Sequence, residues 1–432
     1  MDDFRYQVPK DDFSPTFPST LEETELDFGF LADLALKIVY ANANCTMAMA
    51  TEKLCLPASM TEKLLQHLYH EKLLEIRGIE SFQNYRYAML ERGLQQINRL
   101  LNLNGYIGPA PVSLRAYTEM VSLQNKTREA VIQESIKSAL SGLVLPESAR
   151  QTLGLVANSR RSLFMYGEPG NGKTSTAAAI HSAQPGEIWI PYAIEVGGQI
   201  IKVFDPYTHL PVGNHNNNGY DRRWIKIKRP LVIVGGEMTI ETMDLVYSRS
   251  VRYYEAPFQM KANGGTLVID DFGRQRVDPM DLLNRWIIPL ERQTDYLTLH
   301  TGKKIEVPFE QLLIFSTNLD LKGLVDDAFL RRMAYRLYIG PPSRERYGAI
   351  FRKVVNSNGL EYDPELLEIL LLKYEKEQRP LRCCEPRDLV QRCLDICLYE
   401  NQPVSLSREL LELAWGNYFG AGKVGLTCAP WA

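Results

Sequence analysis

Apolar residues recur along this chain with two periods, and each change of period marks a change of element. Residues 1–19 are polar, carry Pro9, Pro15 and Pro18, and predict a loose tail. Helical spacing then takes over: Phe28 to Tyr40 predicts one apolar helix and Met47 to Leu54 a second. After the break at Pro57, Met60 to Leu74 predicts a third, with Leu64, Leu65 and Leu68 on its stripe. Ile76 to Ile79 and Tyr85 to Leu90 read as two short strands joined by a wing. Pro109 and Pro111 stiffen a helix-free linker that begins at Tyr106. One helix is predicted from about Leu114 to Leu140, and a further one follows Leu143-Val-Leu-Pro146.

Beyond that point apolar runs and helical stretches interleave. Leu163 to Tyr166 reads as a short buried strand, a glycine-rich turn follows, and Ser175 to Ile180 reads as a helix start. Residues 187–236 are extended, with strands predicted at Ile188 to Val196, Gln199 to Phe204, Trp224 to Lys228 and Leu231 to Val234, and a polar loop tip at His215 to Gly219. Leu267 to Ile269 and Gln311 to Asn318 predict core strands, and Leu297 to Val307 a hairpin. From Ser343 to about Gly420 the pattern is helical throughout.

Composition changes this picture little. At 432 residues, with 45% apolar and 23% charged residues, the chain suits two or three ordinary globular domains. A net charge of −3 gives no global attraction to nucleic acid or anionic membrane. No apolar run approaches the roughly 18 residues a spanning helix needs, and the acidic Met1-Asp-Asp-Phe start is no signal peptide, so the expectation is a cytoplasmic protein without membrane insertion. Seven cysteines are an odd number at low density, which predicts reduced thiols. Cys383, Cys384, Cys393 and Cys397 lack paired zinc-ligand spacing and read as buried small side chains. Arg222, Arg223, Lys226, Lys228 and Arg229 make the extended region locally basic, either as a solvated strand face or as a surface for nucleic acid or an acidic partner.

The candidate chemistry begins at the glycine-rich turn. Gly167-Glu168-Pro169-Gly170-Asn171-Gly172-Lys173-Thr174-Ser175 is a GxxxxGK[ST] run between a predicted strand and a predicted helix, the context a P-loop requires. Its glycines let backbone N–H groups point inward around the β- and γ-phosphates of a nucleotide. The helix N-terminus adds partial positive charge, Lys173 reaches the terminal phosphates, and Thr174 offers a hydroxyl to Mg²⁺. Downstream, Asp270 and Asp271 close the strand Leu267 to Ile269, at the strand edge where open α/β sheets bind ligands. One carboxylate suits metal binding, assigned to Asp270, and the other suits orienting and deprotonating a water, assigned to Asp271. An Asp pair after a strand can also simply cap the next helix.

With these motifs in place, the chain resembles an AAA+ ATPase over about residues 115 to 420, and Ala262 to Asp271 resembles the acidic region of the clade of MoxR-type and bacterial enhancer-binding ATPases. The resemblance implies an α/β fold: a P-loop NTPase three-layer parallel sheet (AAA+ core) with a C-terminal helical lid and a β insertion at about 187–236. It implies that Asn318, ending the apolar strand, is the sensor that helps position the water, where by itself it would read as a turn residue. Asp327-Ala-Phe-Leu-Arg331-Arg332 resembles the segment ending in an arginine finger, with Arg332 favoured over Arg331 and a surface Arg pair as the alternative. Arg387, in the first turn of the helix that starts at Glu385-Pro386, resembles the lid arginine that touches nucleotide, although it could instead bridge to Asp388 or Glu385.

Three helices and a hairpin resemble a winged helix-turn-helix. Residues 20–110 hold 8 Lys and Arg against 11 Asp and Glu, so a protein-docking role is favoured there over nucleic-acid binding. The expected layout is a tail at 1–19, a winged-helix-like domain at 20–105, a linker at 106–114, a nucleotide-binding domain at 115–342, a lid at 343–420 and a tail at 421–432. Completion of sites between subunits implies a ring homo-oligomer, taken as a hexamer, that hydrolyses ATP with Mg²⁺ to remodel a protein partner of unknown identity. The competing expectation is a DNA-associated, ATP-dependent switch with slow hydrolysis. Two departures stand out: Asp271 occupies a position where the family usually has Glu, and Asp270 lies 97 positions after Lys173, a long interval that the extended region fills. The stretch from Gly235 to Glu255 falls where relatives carry substrate-contacting loops. That makes Tyr247, Tyr253 and Tyr254 candidate contacts, with Tyr253 and Tyr254 equally readable as core.

Overall fold

A computed structural model of the chain describes residues 6–7, 14–81, 84–213, 219–319 and 327–420. The expected tail at 421–432, residues 215–218 of the expected loop tip and part of the expected wing lie outside them. Within the segment expected as a loose tail, β1 (Tyr6–Gln7) pairs with β2 (Ser14–Pro15), and Pro15 O accepts from Asp221 N at 2.8 Å. α1 (Phe28–Ala41) and α2 (Met47–Leu54) start where the side chains of Asp27 and Thr46 accept the backbone N–H three residues on. α3 (Ala58–His70) follows, then the antiparallel pair β3 (Leu74–Ser81) and β4 (Asn84–Met89). A fourth helix, α4 (Glu91–Leu103), which the apolar spacing did not separate, buries Ile97 and Leu100 in the same core as Leu31, Leu34, Leu64 and Leu65. Gly93 permits it: a Cβ there would lie 2.2 Å from Leu73 O.

Next come β5 (Val112–Ser113) and α5 (Leu114–Lys126). The single helix expected from Leu114 to Leu140 is broken: α6 (Gln133–Ala139) is separate. Val131 N donates at 3.3 Å to the side chain of Asn158, so that N–H is satisfied outside the helix and the ladder does not run on. α7 (Glu147–Ser159), β6 (Leu163–Tyr166) and α8 (Lys173–Ser182) lead into the extended region of β7 (Glu187–Pro191), β8 (Ala193–Val196), β9 (Gln199–Lys202), β10 (Trp224–Lys228) and β11 (Leu231–Val234). Then follow β12 (Val246–Ser248), β13 (Tyr253–Glu255), the short α9 (Phe258–Lys261), β14 (Thr266–Ile269), α10 (Pro279–Arg292), the hairpin β15 (Thr294–Thr298) and β16 (Lys304–Pro308), and β17 (Leu312–Thr317). α11 (Asp327–Arg332), β18 (Tyr335–Tyr338) and the helices α12 (Arg344–Ser357), α13 (Pro364–Lys376), α14 (Glu385–Tyr399) and α15 (Arg408–Phe419) complete the described chain.

The chain forms two compact units: residues 1–130 with 184–269 and 274–313, and residues 131–183 with 270–273 and 314–432. The first unit holds a mixed five-stranded sheet in the order β12-β13-β9-β8-β5 and an antiparallel pair of β7 with β10. Tyr254 is fully buried there among Tyr117, Ile194 and Leu297, so it is core, and Tyr253 packs edge-on against Tyr106 at 5.7 Å. The solvated-face reading of the basic stretch is likewise corrected in part. Arg223 is buried and forked onto Asp221 at 2.8–3.1 Å, and Arg229 donates to the carbonyls of Pro185 and Gly264.

The expected α/β architecture is observed: one parallel five-stranded sheet, in the order β11-β14-β17-β6-β18, with a helical C-terminal region. Its three central strands, β14, β17 and β6, are buried on both faces, as parallel strands require. In the second unit β6 pairs with both β17 and β18, and Phe164 packs against both Phe272 and Phe315 with ring centroids 5.9 and 5.6 Å away. The helices α12 to α15 close on a core of Tyr347, Phe351, Tyr374, Leu389 and Trp415.

Candidate nucleotide-binding site

β6 ends at Tyr166, and the glycine-rich loop turns at once into α8. Gly167 at φ +135° could not be replaced without collision, since a Cβ there would lie 2.3 Å from Ile339 O. Gly172, at φ +88°, is the N-cap of α8, so the first turn's backbone N–H groups face the loop. Lys173 is only 7% exposed. Its Nζ donates to Gly167 O at 2.8 Å, to Glu168 O at 3.0 Å and to the side-chain oxygen of Asn318. Burial lowers the pKa of this ammonium, while Asp270, Asp271 and Glu168 pull it back up.

The acidic pair sits on a turn whose shape is unusual for its residues. Asp271 has φ +49°, the left-handed region that Asp tolerates better than most non-glycine residues. The turn is fixed from β17: Phe272 N donates to Ser316 O at 2.7 Å and Thr317 Oγ1 to Phe272 O at 2.6 Å. Asp270 Oδ2 accepts from Thr174 Oγ1 at 2.7 Å, and its Oδ1 accepts from Asp271 N at 3.0 Å. Asn318 Nδ2 donates to Asp271 Oδ1 at 2.7 Å. The Asn318 amide therefore spans a cation and an anion, its oxygen on Lys173 and its nitrogen on Asp271.

These groups line one cavity of about 490 Å³, within the size range of small-molecule sites. Pro169, Gly170, Asn171, Gly172 and Ser175 line it with Lys173 and Thr174, and so do Asp270, Asp271 and Asn318. Gly167 and Glu168 support it from outside the lining, and the Glu168 carboxylate accepts from Tyr338 Oη, which lies 3.1 and 3.0 Å from its two oxygens. Arg387 lines the cavity yet is largely exposed, and its guanidinium bridges to Asp388 Oδ1 at 3.2 Å. Arg331 and Arg332, in the last turn of α11, are not among the lining residues.

Sequence reasoning missed the other wall. Leu143, Val144 and Leu145 line the cavity, and so do Ile350 and Val354, an i,i+4 pair on α12. The i,i+4 spacing was visible as a helix face, but nothing in it said what the face would meet. Cys383 and Cys384 also line the cavity, whereas Cys393 and Cys397 are the buried small side chains expected of all four. The residues fit the groups the motifs imply. Backbone N–H groups, a helix N-terminus and Lys173 suit phosphates, the apolar wall suits a planar base, and a hydroxyl and carboxylate oxygen 2.7 Å apart are hard donors suited to Mg²⁺.

A protein-family profile described as a domain of unknown function (DUF8689) matches residues 343–417. No curated protein matches the chain. Among solved structures, the chain is similar to NtrX from Brucella abortus in complex with ATP, at 15% identity and a TM-score of 0.40, over 74% of this chain and 61% of that one. The same protein in complex with ADP gives 16% identity and 0.41, over 76% and 66%. A Thermotoga maritima RuvB Holliday junction branch migration motor gives 12% and 0.35, over 66% and 70%. The chain thus spans less than two thirds of the NtrX chain in its ATP complex. No helix among the described residues is long and apolar enough to cross a membrane.

Proposed function

We propose that this protein is an AAA+ ATPase, of the clade that includes MoxR-type and enhancer-binding ATPases, that binds and hydrolyses ATP. The observation that carries the reading is the convergence on one cavity of the P-loop, the Thr174–Asp270 pair and the Lys173–Asn318–Asp271 chain. In this reading Lys173 and the loop N–H groups hold the terminal phosphates, and Thr174 and Asp270 hold Mg²⁺, which supplies charge neutralisation when bound. Asp271 accepts a proton from the attacking water while Asn318 fixes its carboxylate; Arg387 contacts nucleotide from the lid helix. The left-handed turn and the Asn318 bond support a carboxylate held in position, which offsets the shorter reach of Asp relative to the usual Glu.

Arg332, with Arg331 beside it, would act on a neighbouring subunit's nucleotide, which makes the working form a ring, proposed as a hexamer. The N-terminal helices and hairpin would serve as a winged-helix-like docking module for a cytoplasmic protein partner remodelled at the expense of ATP. ATP hydrolysis per subunit, measured against protein concentration with Arg332→Ala alongside, tests this. A rate that rises with concentration and collapses in the variant supports it. A rate near zero at every concentration, with nucleotide still bound, replaces it with the switch reading.

A further inference from the structure

The loop that carries Asn171 is fastened by something other than phosphate-binding groups. Arg382 to Glu385 forms a turn closed from both sides: Glu385 N donates to Arg382 O at 3.3 Å, and Arg382 N donates to Glu385 Oε2 at 3.1 Å. Closing the turn this way leaves the two intervening backbone N–H groups pointing outward, and both are spent on the glycine-rich loop. Cys384 N donates to Gly170 O at 2.9 Å, and Cys383 N donates to Asn171 Oδ1 at 3.3 Å. Asn171 is only 3% exposed, and its amide nitrogen donates back to Glu168 O at 3.4 Å, so one side chain ties the loop to itself and to the turn. The fit is close: a Cβ on Gly170 would lie 2.8 Å from Cys384 Sγ. Behind the turn, the Glu385 carboxylate is 2% exposed and also accepts from Tyr374 Oη at 2.7 Å, which in turn accepts from Tyr347 Oη at 3.1 Å.

We propose that the Arg382–Glu385 turn is a latch on the P-loop, with Glu385 and Asn171 as positioning residues that set nucleotide affinity. The inference rests on the nucleotide reading of the site. Glu385 does not line the cavity, so its effect would travel only through the turn it closes. The hydroxyl relay from Tyr347 anchors that turn to the buried centre of the C-terminal helices, which gives those helices a direct hold on Gly170 and Asn171.

Kinetics and calorimetry on the full chain test the latch. Glu385→Ala should raise KM for ATP and Kd for ADP about tenfold while kcat stays within about twofold, because the lost hydrogen bonds position the loop and touch no reacting atom. Glu385→Gln should stay near wild type, since its amide oxygen still accepts from Arg382 N. Val390→Ala, a core truncation in the same helix, should lower Tm without changing Kd. ADP should protect Cys383 and Cys384 from N-ethylmaleimide in the wild type, and in Glu385→Ala the same protection should need about tenfold more ADP. If Glu385→Ala does not fold, Asn171→Ala reads the same latch from the loop side and should weaken ADP binding about fivefold. Wild-type ADP affinity in a folded Glu385→Ala or Asn171→Ala protein overturns the latch and leaves the nucleotide reading standing. A wild type that binds neither ADP nor ATP overturns the reading and the latch together.

Discussion

The two five-stranded sheets among the described residues are equal in strand number and opposite in use. In the parallel sheet all strands point one way, so the residues just past β6, β14 and β17 emerge at one edge: Gly167, Asp270 and Asn318. In the mixed sheet β12 runs against β13 and β8 against β9, so strand ends are shared between both edges. Its polar groups are taken up by structure, as where Tyr254 Oη meets the ring and backbone N–H of His300 or Lys202 pairs with Glu255 at 3.3 Å. Uniform strand direction, more than strand number, is what gathers chemistry at one place.

That contrast can be broken from either side. The largest expected effect lies near the mixed sheet and is one of stability. Arg223 and Asp221 have side chains only 7% and 3% exposed, so Arg223→Ala strands a buried carboxylate and should cost about 3–5 kcal/mol of unfolding free energy. Denaturant titration reads the loss, and the folded fraction should keep its affinity for ATP. On the parallel sheet, Asp271→Ala should lower kcat about a hundredfold with Tm nearly unchanged. Asp271→Glu sharpens the point: a lower rate means the left-handed turn is built for Asp, and a gain means the shorter side chain was poorly placed.

A smaller effect is expected at Lys37, buried in α1 within the N-terminal core. Burial lowers its amine to about 8, with Asp33 opposing. The folded chain thus loses a proton that the unfolded chain holds to about 10.4, so stability should rise as pH climbs between those values. Lys37→Met should add on the order of 2 kcal/mol at pH 7, and its advantage should fade by pH 10 in thermal unfolding scans. The smallest effect is at Asn318, whose loss leaves Lys173 and Asp271 in place: Asn318→Ala should lower kcat about tenfold.

How far the sequence carried differs between the same regions. The P-loop was legible because its letters are dictated by backbone geometry: Gly167 and Gly172 occupy conformations that other residues resist. The ends of β14 and β17 were legible because parallel strands are apolar throughout and stop abruptly at polar residues. The break between α5 and α6 was not, since it depends on the distant Asn158. Arg223 was misjudged although its partner is two residues away, because the two side chains meet across a turn, closed by Trp224 N on Asp221 O at 3.1 Å, that strand periodicity does not describe. Cys383 and Cys384 gave no sign of meeting the P-loop, because that contact is made by their backbone N–H groups, which every residue but proline carries.

If one cavity binds a nucleoside triphosphate through Lys173, loss of that ammonium should abolish most of the affinity. Calorimetric titration of Mg·ATP into the full chain and into Lys173→Ala measures that loss. Saturable binding at one site per chain, weakened at least a hundredfold in the variant with its Tm retained, is the expected result. Equal affinity in both proteins, or no binding to the wild type, would contradict it.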